Sequence, residues 1–529
     1  MAATLLTSVA LLLPVAASGG GSGVRSARLP ILGIVPHTGA PHAAAARNAS
    51  GADDLFLQES SCARSSYPYP CWTMPRSTAY AIYWVPSGYS VDPSYESLID
   101  RYFRDVAAAS GSATNVFSVL TQYYDSVASV GYSSTFGGSY VDTTPFPKSA
   151  CSDGVDRVCL TDDQIRAELE NVLGEMGWHA GKTSMFFLMT PDGVGSCMDN
   201  VTGLCTTTAY CAYHSTFVDT SHRRIVYANE PYAATLVDVN GHRGCTDGTS
   251  PNGSDADATL STISHEQSEM ATDPAGDAWR NNSGREIGDL CVWQFGTPLG
   301  GTVGTDAYNQ VINGHRYWLQ EEFSNDGSTC LQHYTPTVAP SSFSAPVVSG
   351  TAAEGQLLSV TNGAWQNAPS GYAYRWQRCA APTGCEDIAA AVDSTYRLVA
   401  ADAGHAVRAE VAAQNVAGSS TFVRSAPTAP VVPVPTLTAQ PLLSGKAVVG
   451  RKLHLTTGWW NSSVAVTYTW RRCDGSACRS IPRATTAFYR LTPADAGHTI
   501  EARVSGTNDA GTTASVADRS KPVRSGPGA

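Results

Sequence analysis

Hydrophobic and polar positions follow two rhythms along this chain of 529 residues, and the change comes near residue 339. Before it, apolar runs of strand length alternate with stretches of helical spacing. Tyr80-Ala-Ile-Tyr-Trp-Val85 reads as a buried strand ended by Pro86. Asp92-Pro93 supplies an N-cap and a first-turn proline, and the stretch after it sets Leu98, Ile99, Tyr102, Phe103 and Val106 on one helical face. A second helix is predicted over 115–124. Thr161-Asp-Asp-Gln164 is a capping box opening a helix that runs to Met176. Ser184-Met-Phe-Phe-Leu-Met-Thr190 and Arg224-Ile-Val-Tyr-Ala228 read as further buried strands. Strands separated by helices predict an α/β or α+β domain over 62–334.

After residue 339 the helical spacing stops, and short β-type runs lie between Gly, Pro and Asn turns. A repeat appears at an offset of about 93 residues. Tyr374-Arg-Trp-Gln-Arg-Cys379 matches Tyr468-Thr-Trp-Arg-Arg-Cys473. Tyr396-Arg-Leu with Ala401-Asp-Ala-Gly-His405 matches Tyr489-Arg-Leu with Ala494-Asp-Ala-Gly-His498. Units of this length with a core Trp predict two all-β sandwiches, 339–432 and 433–525, joined by a Pro-rich linker from Pro427 to Pro435. Their signatures resemble the immunoglobulin-like repeats of exported bacterial proteins. Trp376 and Trp470 are expected in the cores. His405 and His498 stand alone and are expected in turns rather than on a metal.

Composition narrows the setting. Length calls for several domains, and the formal charge of −11 without a Lys/Arg run argues against nucleic acid as a partner. Residues 1–18 read as a signal peptide with an apolar core from Leu5 to Ala17, although no Lys or Arg precedes that core. Residues 19–61 read as a low-complexity lead-in, largely loop or disordered. No other long apolar run is present, so no membrane span is expected once the signal is removed. There are 14 cysteines. None has CxxC spacing, and in an exported chain disulfides are expected, with Cys62 and Cys71, Cys151 and Cys159, Cys379 and Cys385, and Cys473 and Cys478 as close pairs. How Cys197, Cys205, Cys211, Cys245, Cys291 and Cys330 pair is left open.

The constellation that carries chemistry is Ser264-His265-Glu266-Gln-Ser-Glu269-Met-Ala-Thr-Asp273-Pro274, on a helix capped by Asp255 or Asp257 and stopped at Asp273-Pro274. At 100° per residue, Leu260, Ile263 and Met270 share one stripe, while His265 and Glu269, four apart, share another. The helix is thus expected to pack its apolar side and expose an imidazole and a carboxylate together. This geometry is similar to the zincin HExxH helix with a carboxylate in place of the second His. His265 and Glu269 suit Zn2+, and Glu266 stands where a general base belongs. A solvated helix face with a local His–Glu pair is the plainer alternative. Glu286-Ile-Gly-Asp289-Leu-Cys291 follows His265 by 21 residues. By resemblance to gluzincin-type proteases, Glu286 is the preferred third ligand, and Asp289 its rival or an orienting partner. Cys291 is expected to pin this segment. His214, in Cys211-Ala-Tyr-His214, is a further candidate, with a structural His beside a disulfide loop as its plainer reading.

Several short motifs occur in one order: Cys211-Ala-Tyr-His-Ser-Thr-Phe217, Arg224-Ile-Val-Tyr-Ala-Asn229, the His265 helix with Trp279, Glu286-Ile-Gly-Asp-Leu-Cys291, and Tyr308-Asn-Gln-Val-Ile-Asn-Gly-His-Arg-Tyr-Trp-Leu319. Over residues 75–334 this series resembles the EXORDIUM or phosphate-induced protein family and its bacterial relatives. The resemblance implies an exported, wall-associated protein and brings no defined activity. Plant members often lack the His–Glu pair. Two functions therefore compete: a secreted Zn2+-dependent, peptidase-like hydrolase acting on an extracellular protein, and a non-enzymatic protein bound to cell-wall polysaccharide or another surface. A structural Ca2+ is a third reading, against which stands the nitrogen ligand of His265.

Overall fold

The structure, a computed structural model, describes residues 32–38, 54–58, 72–125, 128–199, 203–381, 384–517 and 519–526. The expected signal peptide, most of the lead-in, and Cys62 and Cys71 lie outside the described residues. Six strands make the central sheet of the first domain: β1 (Leu32–Pro36), β2 (Ser77–Trp84), β3 (Ser134–Asp142), β4 (Ser184–Met189), β5 (Tyr210–Val218) and β6 (Arg224–Glu230). Their spatial order is β1-β5-β6-β4-β2-β3. β3, β2, β4 and β6 run parallel, β5 turns antiparallel to β6, and β1 is antiparallel to β5 at the edge.

Helices cover both faces, which is why the parallel strands read as near-continuous apolar runs. α1 (Tyr95–Ala108) and α3 (Ala256–Thr272) pack on the face carrying Ala79, Ala81, Tyr83, Phe187, Val226 and Ala228. α2 (Asp162–Met176) covers the other with Ile165, Leu169 and Leu173 against Ile82, Trp84, Phe186, Tyr213 and Tyr227. The α2 capping box forms as read, with Thr161 N donating to Gln164 Oε1 at 3.0 Å.

Local chemistry explains three departures from the sequence reading. At the start of α1, Asp92 accepts from Ser94 N, so Ser94 takes the cap and the helix opens at Tyr95. The helix expected over 115–124 is a tighter 3-10 turn, Val116–Gln122. Ser118 and Thr121 donate back to carbonyls three residues earlier, at 2.8 and 2.6 Å, which favours that tighter winding. The lead-in, read as loop, contributes β1 and also Phe56–Leu57, which pairs with Trp279–Arg280. A five-residue run interrupted by Gly33 carries little local signal, and its partner lies far along the chain.

Disulfides join Cys151–Cys159, Cys379–Cys385 and Cys473–Cys478 as read. The pairs left open are Cys197–Cys205, Cys211–Cys245 and Cys291–Cys330. Among the described residues no helix is long and apolar enough to cross a membrane.

Each repeat folds as a β-sandwich around a fully buried Trp, Trp376 in one and Trp470 in the other. The repeated Arg, Tyr and Asp positions form one device. Arg378 and Tyr396 donate to buried Asp402, and Arg472 and Tyr489 to buried Asp495. His405 and His498 lie in the turns after them, as expected. In each sandwich the entering and leaving segments pair in parallel, at Ala353–Val432 and at Val448–Arg524. Glu354 N donates to Val432 O and Val432 N to Ala352 O, both at 2.9 Å, and Val449 N and Arg524 N make the matching bonds at 3.0 Å.

Candidate metal centre

α3 is buried all round rather than amphipathic. It packs against β1, β5 and β6 on one side and α1 on another. His265, Glu266 and Glu269 are all 0 % exposed, which corrects the expectation of a solvated stripe. The polar stripe faces an internal nest of ionisable groups. Three segments supply it: the helix, the middle of β5, and the loop after the helix.

His214 comes from β5. The strand alternates, sending Tyr213 and Phe217 toward α2 and His214 toward α3. Cys211–Cys245 pins the start of its strand, and the imidazole is fully buried. His214 Nδ1 lies 3.0 Å from Glu266 Oε2 and 3.4 Å from Glu269 Oε2. His265 Nε2 lies 3.0 Å from the other oxygen of Glu269, Oε1, and 3.9 Å from Asp289 Oδ1. Glu269 thus stands between two imidazoles, one at each carboxylate oxygen. Within this nest two groups have ligand atoms mutually within 4.8 Å: His265 with Glu269 and Asp289, and His214 with Glu266 and Glu269.

The loop after α3 is fixed by backbone bonds. Asp289 N donates to Glu269 Oε1 at 3.0 Å, and Glu286 N to Asp289 Oδ2 at 3.2 Å. Gln320 Nε2 holds Gly288 O at 3.0 Å, and Cys291–Cys330 ties the end of the segment. Of the two acidic candidates here, Asp289 joins His265. Glu286 turns to the other side, with Oε2 3.8 Å from His214 Nε2.

Sequence reasoning did not single out Glu230 at the end of β6, Glu322, or Asp273 beyond its role as a helix stop. All three are buried beside this set. Glu230 ends β6 and Glu322 opens a three-residue strand, Glu322–Ser324, and neither carried a signal in the sequence. Among the described residues, none of the seven carboxylates pairs with Lys or Arg.

Electrostatics follow from that imbalance. Burial lifts Glu266 and Asp289 to about 7, and Glu230, Glu286 and Glu322 well above the usual carboxylate range. Burial also opposes charge on both imidazoles, but the facing carboxylates outweigh it and hold His265 and His214 above their ordinary range, His214 at about 10. Glu269 is held down to about 2, because the two imidazoles overcome its burial. Several polar atoms have no hydrogen-bond partner: His265 Nδ1 and Nε2, His214 Nε2, Glu266 Oε1, Glu269 Oε2 and Glu286 Oε1. An uncompensated buried carboxylate costs several kcal/mol. The two imidazoles supply that compensation to Glu269, and the nitrogen and oxygen donors are of the kinds a borderline divalent ion takes.

No family model matches the chain, and no curated protein matches it. Solved structures of low similarity include the three N-terminal domains of the bacteriophage RB49 outer capsid protein Hoc, at 15 % identity and a TM-score of 0.20, covering 33 % of this chain. The chain spans 58 % of the length of that phage chain. The chicken interferon gamma receptor alpha chain is 11 % identical, with a TM-score of 0.16, over 36 % of this chain and 99 % of its own. Chicken CNTN1 FN1–FN3 is 15 % identical, with a TM-score of 0.19, over 37 % of this chain and 67 % of its own.

Proposed function

We propose that the first domain is a metal-dependent hydrolase of exported peptide or protein substrates, with His265, Glu269 and Asp289 holding one Zn2+. The observation that supports this reading is the gathering of His265, Glu269 and Asp289, whose ligand atoms lie within 4.8 Å of one another in a nest with unpartnered polar atoms and, among the described residues, no Lys or Arg partner. An ion held there supplies Lewis-acid polarisation of a carbonyl and of water. Glu266, next to Glu269's side of the helix and lifted to about 7, takes the proton of the attacking water near neutral pH. His214, 3.0 Å from Glu266, orients that carboxylate and steadies its charge. Glu286 lies on the far side of His214, 3.8 Å from its Nε2.

Export fits the six described disulfides, and the two sandwiches serve as spacer or surface-binding modules beside the catalytic domain. On this reading the chain is an EXORDIUM-like protein in which the metal residues are present. Complete burial of the nest favours one rival, a purely structural ion.

Metal analysis of the purified exported chain and an internally quenched peptide assay separate the two. The expected result is about one Zn2+ per chain. Glu266→Gln should keep the metal and lose activity by about 10²–10⁴-fold. Metal without activity in the wild-type chain would establish the structural ion, and absence of metal would remove both.

A further inference from the structure

A site buried this completely has to open for a substrate, and one element lies directly on it. β1 is the edge strand of the sheet, antiparallel to β5, which carries His214. Its register is broken by a bulge: Leu32 faces His214 and Ile34 faces Tyr213, leaving Gly33 as the extra residue between them. Gly33 has φ +34°, and a Cβ built on it would fall 1.9 Å from Glu269 Oε2 and 2.3 Å from His214 Nδ1. The backbone at Gly33 therefore lies against His214 and the Glu269 oxygen that faces it, the other oxygen of the same carboxylate facing His265. No residue with a side chain fits there.

Toward its C-terminal end the segment is docked rather than draped. Val35 is buried with Ala212 and Val292, Trp293 Nε1 donates to Pro36 O at 2.7 Å, and Thr38 N donates to Gly244 O at 2.6 Å. Taken away, β1 would leave β5 as a bare antiparallel edge running past His214, with unpaired amides and carbonyls ready for another extended chain.

We propose that Leu32-Gly-Ile-Val-Pro36 occupies the peptide-binding cleft of this site, lying where a substrate strand lies, and that the substrate class is an extended, uncharged peptide with glycine beside Glu269 and His214 and branched aliphatic residues after it. This rests on the peptidase reading above and adds the occupant, its direction and its register. The chain as described is thus a self-occupied form, and β1 has to leave before a substrate can enter.

The test uses the full chain and a labelled peptide, Pro-Ile-Leu-Gly-Ile-Val-Pro-His, the sequence of residues 30–37. Gly33→Phe prevents β1 from seating. The folded variant should bind the peptide at least about tenfold more tightly than the wild-type chain, whose cleft is filled. A control peptide with Phe in place of Gly should not bind. Equal binding to both chains, or none to a variant of native circular dichroism and intact Cys211–Cys245, overturns the proposal. Should the variant fail to fold, amide exchange of Leu32–Pro36 in the wild-type chain decides: excess peptide should speed it, and unchanged exchange overturns the proposal. Peptide binding without cleavage leaves the occupancy standing and removes the hydrolase reading. Cleavage that Gly33→Phe leaves unchanged, with no peptide binding, does the reverse.

Discussion

Gly288 sets how closely the loop after α3 approaches His265. A Cβ there would lie 2.7 Å from His265 Nδ1, although the backbone itself, at φ −76°, is ordinary. The glycine is needed for space and not for conformation. Gly288→Val should push the imidazole away from Glu269 and weaken metal binding about 10–100-fold, the usual cost of disturbing a ligand's support. Competition with a chelator of known affinity checks this. Asp495 illustrates the opposite case, a carboxylate with every partner in place. Burial works against its charge, but the Thr492 amide, the Arg472 guanidinium and the Tyr489 hydroxyl outweigh it and hold its pKa below the ordinary value. A pKa depressed by folding adds stability that is present above the unfolded pKa, about 3.9, and fades as pH falls through the folded one. The melting temperature of the second repeat should therefore drop on acidification below pH 4, and Asp495→Asn should flatten that dependence.

At the scale of elements, the loop from Glu286 to Cys291 is held at its far end by Cys291–Cys330, which closes a loop with a sequence separation of 39. Cys330→Ser with Cys291→Ser should cost about 2–4 kcal/mol of stability and, by freeing Asp289, reduce metal affinity as well. Denaturant unfolding with and without Zn2+ separates the two effects. The same region shows what could be read from sequence and what could not. The α3 pattern and its stop at Asp273 were visible, because they follow from helical periodicity; of the two acidic candidates named by resemblance, the preferred one, Glu286, faces His214, and its rival Asp289 lies by His265. Burial of the helix was not, because Ser, Thr, Gln and Glu on its faces look solvated until β5, β6 and the 322–324 strand are set around them. His214 was flagged, but the strand that turns it toward Glu266 was not read, because two nearby cysteines drew the eye from its alternation. Gly33 was missed outright, because no local pattern announces a strand whose partner lies about 180 residues away.

At the scale of the molecule, the two sandwiches were legible from the change of rhythm at residue 339 and from the repeat, and three strands of the six-stranded sheet, β2, β4 and β6, from their apolar runs. The first domain and first repeat also touch, through Ser129 Oγ donating to Trp365 O at 2.6 Å and Tyr124 packing on Phe343. In each sandwich, entering and leaving segments lie side by side and point the same way, bonded at Ala353–Val432 and Val448–Arg524. A pull applied along the chain therefore slides these segments past each other and loads their bonds in shear, all at once, instead of peeling them one by one. Single-molecule stretching should show each repeat yielding in one abrupt event, at higher force than when the same repeat is pulled from residues within one hairpin, with a rate set by its unfolding barrier. Equal forces in both directions would show that the parallel pairs bear no tension. The two repeats, on this view, form a tether able to hold the first domain in place under flow.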